Sequence, residues 1–429
     1  MNLSGLSFNA LPPIDLPFRF FISAPIFMLA CVGLVFYGGE SLWLSRWHPL
    51  MLALTHGFTL GFLTMVMLGA LLQLLPVIAG IGIPQPRTIA SISHAALMIG
   101  TLSLLLGFIV GHEWMLYGAM FFLAIGLGTY LLALGWVLIK KISQGDSITG
   151  FRLAIAALFI TLLIGLALLA RNLGFEWITF DKQLTNIHAL WGLVGWAGLL
   201  IIAVSFQVIP MFHVAPSFPK LVTRYLTLSI FVFLLVFIFA PTVAMPMLSL
   251  CHGLFALVLL FVIRRRKRKV PDTSIRYWQL AAISLLLACM LYFIPQSLWN
   301  HHLPVDKELL LGALFIYGYL MSVIQGMLLK ILPFLSYTHL QQRCLVDFSV
   351  MQFIPHMHEF LNKKHGQWLF RIHLISSICL LLVLFQPASY ALFGLSLLLE
   401  FSGLLLIMIK TMSLYFKINK KITLSAENT

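Results

Sequence analysis

Hydrophobic runs long enough to cross a bilayer follow one another along almost the whole chain. They cover residues 18–42, 48–76, 89–110, 114–139, 150–171, 186–210, 220–241, 243–263, 277–297, 309–334, 366–386 and 389–413. Each provides about the 20 apolar residues that a helix needs to span the hydrocarbon core. Polar positions are confined to the connections, several only a few residues long, so the segments they join are antiparallel neighbours. The narrowest divisions fall at Pro241 and Pro387. The pattern predicts an all-α integral membrane protein of twelve transmembrane helices, with no soluble domain or long linker. Pro12, Pro13, Asp15 and Pro17 precede the first run, which is too long for a signal-peptide core and reads as the first helix. From Phe416 the chain reads as a short disordered end.

Three of these segments repeat one pattern. They are HGFTLGFLTMVMLGALLQLLP (His56 to Pro76), HALWGLVGWAGLLIIAVSFQVIP (His188 to Pro210) and LGALFIYGYLMSVIQGMLLKILP (Leu311 to Pro333). Counting back from each proline, a glycine–aromatic pair stands fifteen residues earlier: Gly61-Phe62, Gly195-Trp196 and Gly318-Tyr319. A small residue stands seven back (Gly69, Ala203, Gly326) and a long polar one three back (Gln73, Gln207, Lys330). The prolines are 134 and 123 residues apart, so the pattern falls on the second, sixth and tenth segments. Self-similarity at a nearly fixed period is a sign of repeated architecture. It predicts one membrane domain of three quasi-repeated four-helix arcs, at about 18–139, 150–263 and 277–413. The glycines are expected to let helices approach closely, and the prolines to end their helices.

Charge orients the bundle. The chain is 61% hydrophobic and 9% charged, which excludes a water-soluble fold. With the N-terminus inside, 22 of the 27 lysines and arginines face the cytoplasm and four (Arg46, Arg171, Lys182, Lys307) face outward; Lys330 is the remaining one. This positive-inside asymmetry places both termini in the cytoplasm and the protein in a bacterial inner membrane. The net charge of +14 is therefore largely topological. The run Arg264 to Lys269 lies beside a transmembrane segment, where it anchors the helix against anionic lipid rather than binding nucleic acid. The five cysteines form no CxxC pair, and four lie within helices, so neither a disulfide framework nor a zinc ribbon is expected. The connection at about 338–365 carries His339, Cys344, His356, His358, Glu359 and His365, at spacings that match no zinc or copper signature.

Ionisable residues at membrane depth are the candidates for chemistry, because burying them is costly unless they are satisfied. They are His56, His94, His188, His252, Lys330, His373 and Glu400. His56, His188 and His252 fall at similar depth toward the outer face, whereas His94 and His373 start their helices on the inner side. Neutral imidazole suits metal or haem ligation, having a lone pair and no charge to desolvate. The competing structural role is a ring hydrogen-bonded to a neighbouring carbonyl. Lys330, one turn from its expected helix end, can snorkel to the interface. Glu400, in LLLEFSGLLL, has no sequence-local cation and is either protonated and packed or part of a proton path.

Twelve helices, both termini inside, three arcs and ALTHGFTLGFLTMVMLGALL on the second helix resemble subunit I of haem–copper oxidases. There the second helix carries a haem-ligating histidine followed by glycine near the outer face, which His56-Gly57 matches. A lesser similarity is to the NnrS family, haem-containing twelve-helix membrane proteins linked to nitric oxide stress, with Trp47-His48 opening the second helix. The oxidase pattern also requires a His-x-His on the tenth helix and a His-His pair on the seventh. Leu311–Pro333 and residues 220–241 hold no histidine, and His188 is followed by Ala189-Leu190-Trp191 rather than Pro-Glu-Val-Tyr. The resemblance thus implies an oxidase-like scaffold without the binuclear centre, and neither copper binding nor oxygen reduction by that mechanism is expected.

The resulting expectation is a haem-binding membrane protein with a respiratory or nitrosative-stress role, working beside a redox partner or quinol. Its axial ligands would be His56 and His188, with His252 in reserve. Measured from their prolines, the two histidines are offset by two positions, about 200° on a straight α-helix. Two alternatives compete. One is a transporter with a pore lined by the three repeated helices, where Gln73, Gln207, Lys330 and Glu400 mark a proton or transport path. The other is a factor delivering haem or copper to an oxidase.

Overall fold

The computed structural model describes residues 12–79, 82–140, 145–175, 182–343 and 348–427. Among these residues the fold is entirely helical, and twelve helices are long and apolar enough to cross a membrane. They are α1 (Asp15–Gly38), α3 (Pro86–Val110), α4 (Glu113–Lys140), α5 (Asp146–Asn172), α7 (Lys220–Phe239), α8 (Pro241–Arg264), α9 (Thr273–Tyr292), α11 (Lys363–Phe385), α12 (Tyr390–Glu427) and three composite helices. The composite ones carry the repeated pattern. Helix α2 runs through Pro49–His56, Gly57–Thr64 and Met65–Ala79. Helix α6 runs through Lys182–Leu190, Trp191–Gly198 and Leu199–His213. Helix α10 runs through Lys307–Ala313, Leu314–Met321 and Ser322–Arg343.

The middle stretch of each composite helix is π-helical and eight residues long. Such i→i+5 segments are rare, mostly single turns, and frequent at functional sites. In all three the repeated glycine is the fifth residue, and the repeated proline lies nineteen residues beyond the first. The three π segments pack against one another.

The glycines explain how these helices sit against their neighbours. A Cβ on Gly61 would fall 2.7 Å from Phe27 of α1, one on Gly195 2.9 Å from Ala157 of α5, and one on Gly318 2.7 Å from Ser284 of α9. Two turns on, Gly69 abuts Phe20, Ala203 abuts Gly150 and Gly326 abuts Tyr277. On the partner helices the paired residues are seven apart every time: 27 and 20, 157 and 150, 284 and 277. Helices α2, α6 and α10 therefore meet α1, α5 and α9 in one common register. Backbone contact this close is what holds helices together in lipid, where the hydrophobic effect offers little.

Beyond the π segments the three helices enclose an apolar cavity of about 120 Å³. Equivalent positions line it in layers: Val66, Leu200 and Val323; Ala70, Val204 and Met327; Leu74, Val208 and Ile331.

Two expectations about helix ends are corrected. The prolines do not terminate their helices, which continue from Pro76 to Ala79, from Pro210 to His213 and from Pro333 to Arg343. Proline removes one donor, but at a membrane the released carbonyl is cheaper to leave inside a helix than to unwind around. The chain after Phe416 is not a disordered tail; α12 extends to Glu427. Ile418 and Ile422, one turn apart, are buried, and Arg343 donates to Asn419 Oδ1 at 2.7 Å.

Candidate functional site

His56 ends the first stretch of α2, and His188 lies near the start of α6. Their rings are 6.2 Å apart between centroids with planes 25° from parallel. The two-position offset thus leaves them facing the same seam, because α2 and α6 meet it from opposite sides. His56 Nδ1 bonds the Leu52 carbonyl at 2.8 Å, one turn back, so its N–H is used there and the Nε2 lone pair is free to face the seam. Phe108 of α3 lies against the same ring at 5.6 Å. His188 packs onto Gly165 of α5, where a Cβ would fall 2.9 Å from the ring, and its Nδ1 is buried without a hydrogen-bond partner among the described residues.

His252 of α8 repeats the arrangement in a different seam. Its Nδ1 bonds the Leu248 carbonyl at 2.8 Å and its buried Nε2 has no partner among the described residues. That nitrogen faces Gly198 of α6, and Phe315 of α10 packs edge-on at 5.7 Å. The contacts of His252 therefore lie between α6 and α10, not at the His56–His188 seam. Beyond the seam, Arg46 ties the neighbouring helix ends together: it pairs with Glu308 of α10, donates to Asn186 of α6 at 2.9 Å, and stacks on Trp47 at 4.2 Å. Trp196 Nε1 donates to Thr64 at 3.1 Å, joining the π segments of α6 and α2.

The other two candidate histidines have side-chain partners. His94 bonds Ser23 at 2.8 Å and lies edge-on to Phe20. His373 does not start its helix as expected: α11 begins at Lys363, and the ring sits three turns in, within a buried cluster. Its Nδ1 is 2.8 Å from Glu400 Oε1 and its Nε2 is 2.8 Å from Ser322. Glu400 also accepts from the Tyr317 hydroxyl at 2.6 Å and the Gln325 amide at 2.5 Å, while Tyr277 donates to Gln325 Oε1 at 3.2 Å. Glu400, His373, Gln325 and Ser322 are all 0% exposed, so every partner comes from the protein. The partner that Glu400 lacks in the local sequence is thus an imidazole one helix away.

Lys330 is four turns from the end of α10 rather than one, and it is paired. Its ammonium meets Asp272 Oδ2 at 2.5 Å, and Asp272 caps α9 by accepting from Ser274 N at 3.0 Å. Burial pushes the Asp272 carboxyl up, but the His213 ring and the Lys330 ammonium outweigh it and hold the group well below the usual carboxylate range. Gln73 and Gln207 both border the central cavity, Gln73 donating to the Pro12 carbonyl at 3.0 Å. Lys330 does not border it.

In the connection after α10, His339 is helical and bonds Tyr415 at 2.7 Å, and His356 with Glu359 forms a capping box; Cys344, like Lys141, lies outside the described residues. No cluster of three metal-ligating side chains occurs among the described residues.

Sequence reasoning missed Asp272, His213, Tyr317, Gln325 and Ser322. Only Asp272 left a signal, since Asp-Thr-Ser before an apolar run is a helix start. No family model matches this chain, and no curated protein is similar to it.

Proposed function

We propose that the seam between α2 and α6 holds a haem, with His56 and His188 as its axial ligands, in a multi-pass protein of a bacterial inner membrane. One observation carries the reading: two imidazoles from different helices face each other at 6.2 Å, and neither has its full set of hydrogen bonds. Two imidazoles on opposite sides of one metal, with bonds of about 2 Å, have centroids roughly 6 Å apart. Tying Nδ1–H of His56 to a backbone carbonyl is the arrangement that orients a ligating ring and fixes its tautomer. When bound, the haem supplies a redox-active iron. His56 and His188 would hold it, with Phe108 against the His56 ring and Arg46 at the end of the seam.

The remaining parts of the reading rest on sequence and packing together. The common register of α2, α6 and α10 against α1, α5 and α9 supports three four-helix arcs. The cationic asymmetry supports termini in the cytoplasm, which puts the seam on the outer side. The likeness to an oxidase scaffold without its binuclear centre supports a respiratory or nitric-oxide-related role, with a quinol or protein redox partner. The transporter reading gains a cavity between the three repeated helices, but its apolar layers offer a hydrophilic solute little to bind.

The test is an absorption spectrum of the purified protein, oxidised and dithionite-reduced. Wild type expressed with ample haem should show a Soret band and sharp visible bands. His56→Ala and His188→Ala should abolish or convert the low-spin spectrum while the protein still inserts, and His94→Ala should not. A featureless wild-type spectrum, or an unchanged one in His56→Ala, would overturn the proposal.

A further inference from the structure

The opposite end of the molecule holds a second cavity, of about 180 Å³, with different walls. It opens where α6 ends, α9 and α11 begin, and the basic run between α8 and α9 folds over. Lys267 N bonds the Val214 carbonyl at 2.9 Å, pinning that run against the end of α6. Within the run, Arg266 and Lys269 spend their side chains on the carbonyls of Arg268 and Arg264. Arg268 instead borders the cavity, with Lys363.

The floor contains polar groups without a full set of hydrogen bonds among the described residues. His213 is 3% exposed and neither ring nitrogen has a hydrogen-bond partner among the described residues; Asp272, the nearest carboxylate, is 3.6 Å away. Ser274 is 1% exposed and its hydroxyl is likewise unpaired. Both border the cavity. Leaving a buried polar group unpaired is costly, so two under-bonded groups in one polar cavity point to a ligand that bonds them. The charges say of what kind. Asp272 is the carboxylate here, and Lys330 neutralises it at 2.5 Å. Arg268 and Lys363 then leave an excess of positive charge, and the first turns of α9 and α11 add their amide dipoles, which favour anions. The space exceeds by roughly tenfold what one water needs.

We propose that this cavity binds a phosphate group, with Arg268 and Lys363 at its mouth and His213 and Ser274 bonding its oxygens. The group comes from an anionic lipid headgroup or from free phosphate; basic pockets between transmembrane helices on the cytoplasmic side suit both. The site is independent of the imidazole seam.

Two binding measurements on the full chain in uncharged detergent separate the sources. Equilibrium dialysis with radiolabelled inorganic phosphate reads the free anion. Native mass spectrometry from micelles doped with phosphatidylglycerol, against phosphatidylcholine, reads the lipid. Retention of phosphatidylglycerol alone assigns a lipid headgroup, and phosphate binding assigns the free anion. In either case R268Q/K363Q, which alters two exposed side chains, should weaken binding at least tenfold. R276Q, which removes a cation of α9 outside the cavity, should leave it unchanged. The proposal falls if wild type binds neither ligand, if phosphatidylcholine binds as well as phosphatidylglycerol, if R268Q/K363Q binds like wild type, or if R276Q loses as much as the double variant.

Discussion

Two histidine environments lie in the same apolar bundle and are treated in opposite ways: His373 is fully buried, whereas His56 and His188 are half-buried. In the last four helices, His373 is enclosed by Glu400, Ser322, Tyr317 and Tyr277, and both its nitrogens are used. In the seam between α2 and α6, His56 uses one nitrogen and His188 leaves Nδ1 unpaired. A carboxylate at membrane depth has to be surrounded by donors, and Glu400 has three. The seam gains no such internal closure. A satisfied polar cluster fixes a fold, whereas an unsatisfied one in lipid costs stability and is expected where a ligand completes it.

Substitutions should separate the two. Glu400→Ala leaves His373, Gln325 and Tyr317 facing an apolar void, and three buried donors without their acceptor cost about 3–5 kcal/mol together. Chemical unfolding in mixed micelles should register that loss; an unchanged midpoint would erase the contrast. Asp272→Asn should cost less, about 1–3 kcal/mol, since its pairs with Lys330 and His213 are partly solvated. The sign of its pH dependence follows from the lowered pKa. The contribution is in full force above the ordinary carboxylate range and fades only as acid protonates the folded protein. The gap between wild type and Asp272→Asn should therefore stay constant from about pH 5 upward. A gap that closes near neutrality would show that the pair is not what holds the carboxylate ionised.

Smaller effects sharpen the other side. Trp196→Phe removes the bond to Thr64 between the π segments and should cost about 1 kcal/mol. His188→Phe should change apoprotein stability least, by roughly 0.5 kcal/mol or less in either direction, because an under-bonded imidazole is exchanged for a ring that needs no partner. A loss as large as that of Glu400→Ala would mean that His188 is a structural residue and would remove the motive for a ligand in the seam.

Most of the architecture was legible in the sequence because lipid imposes one rule on every segment. Twelve apolar runs gave twelve helices, and even the narrow divisions at Pro241 and Pro387 fall between helices. The repeated glycines marked where α2, α6 and α10 touch their neighbours, since only small residues allow that approach. The π turns were not legible: a shift from i→i+4 to i→i+5 bonding leaves no residue signature of its own. The partners of Glu400 and Lys330 were hidden for another reason. Gln325, His373 and Asp272 lie 75, 27 and 58 residues away from them, and only packing brings them together. The placement of His56 beside His188 needed the relative turn of two helices, which a position count along each one does not contain.

The π turns also bear on ancestry. An extra residue forced into a helix whose ends are already docked is accommodated by widening a turn. Here the widened turns start nineteen residues before a proline in α2, α6 and α10 alike, whereas the prolines themselves are unequally spaced, at 134 and 123. Three separate insertions would each have had to strike the same turn. On the three-arc reading, a single insertion in an ancestral four-helix gene, copied twice and joined end to end, accounts for all of them. The unequal spacings lie outside the repeated stretch, and the histidines stand in two of the three repeated helices at unequal positions and are missing from the third.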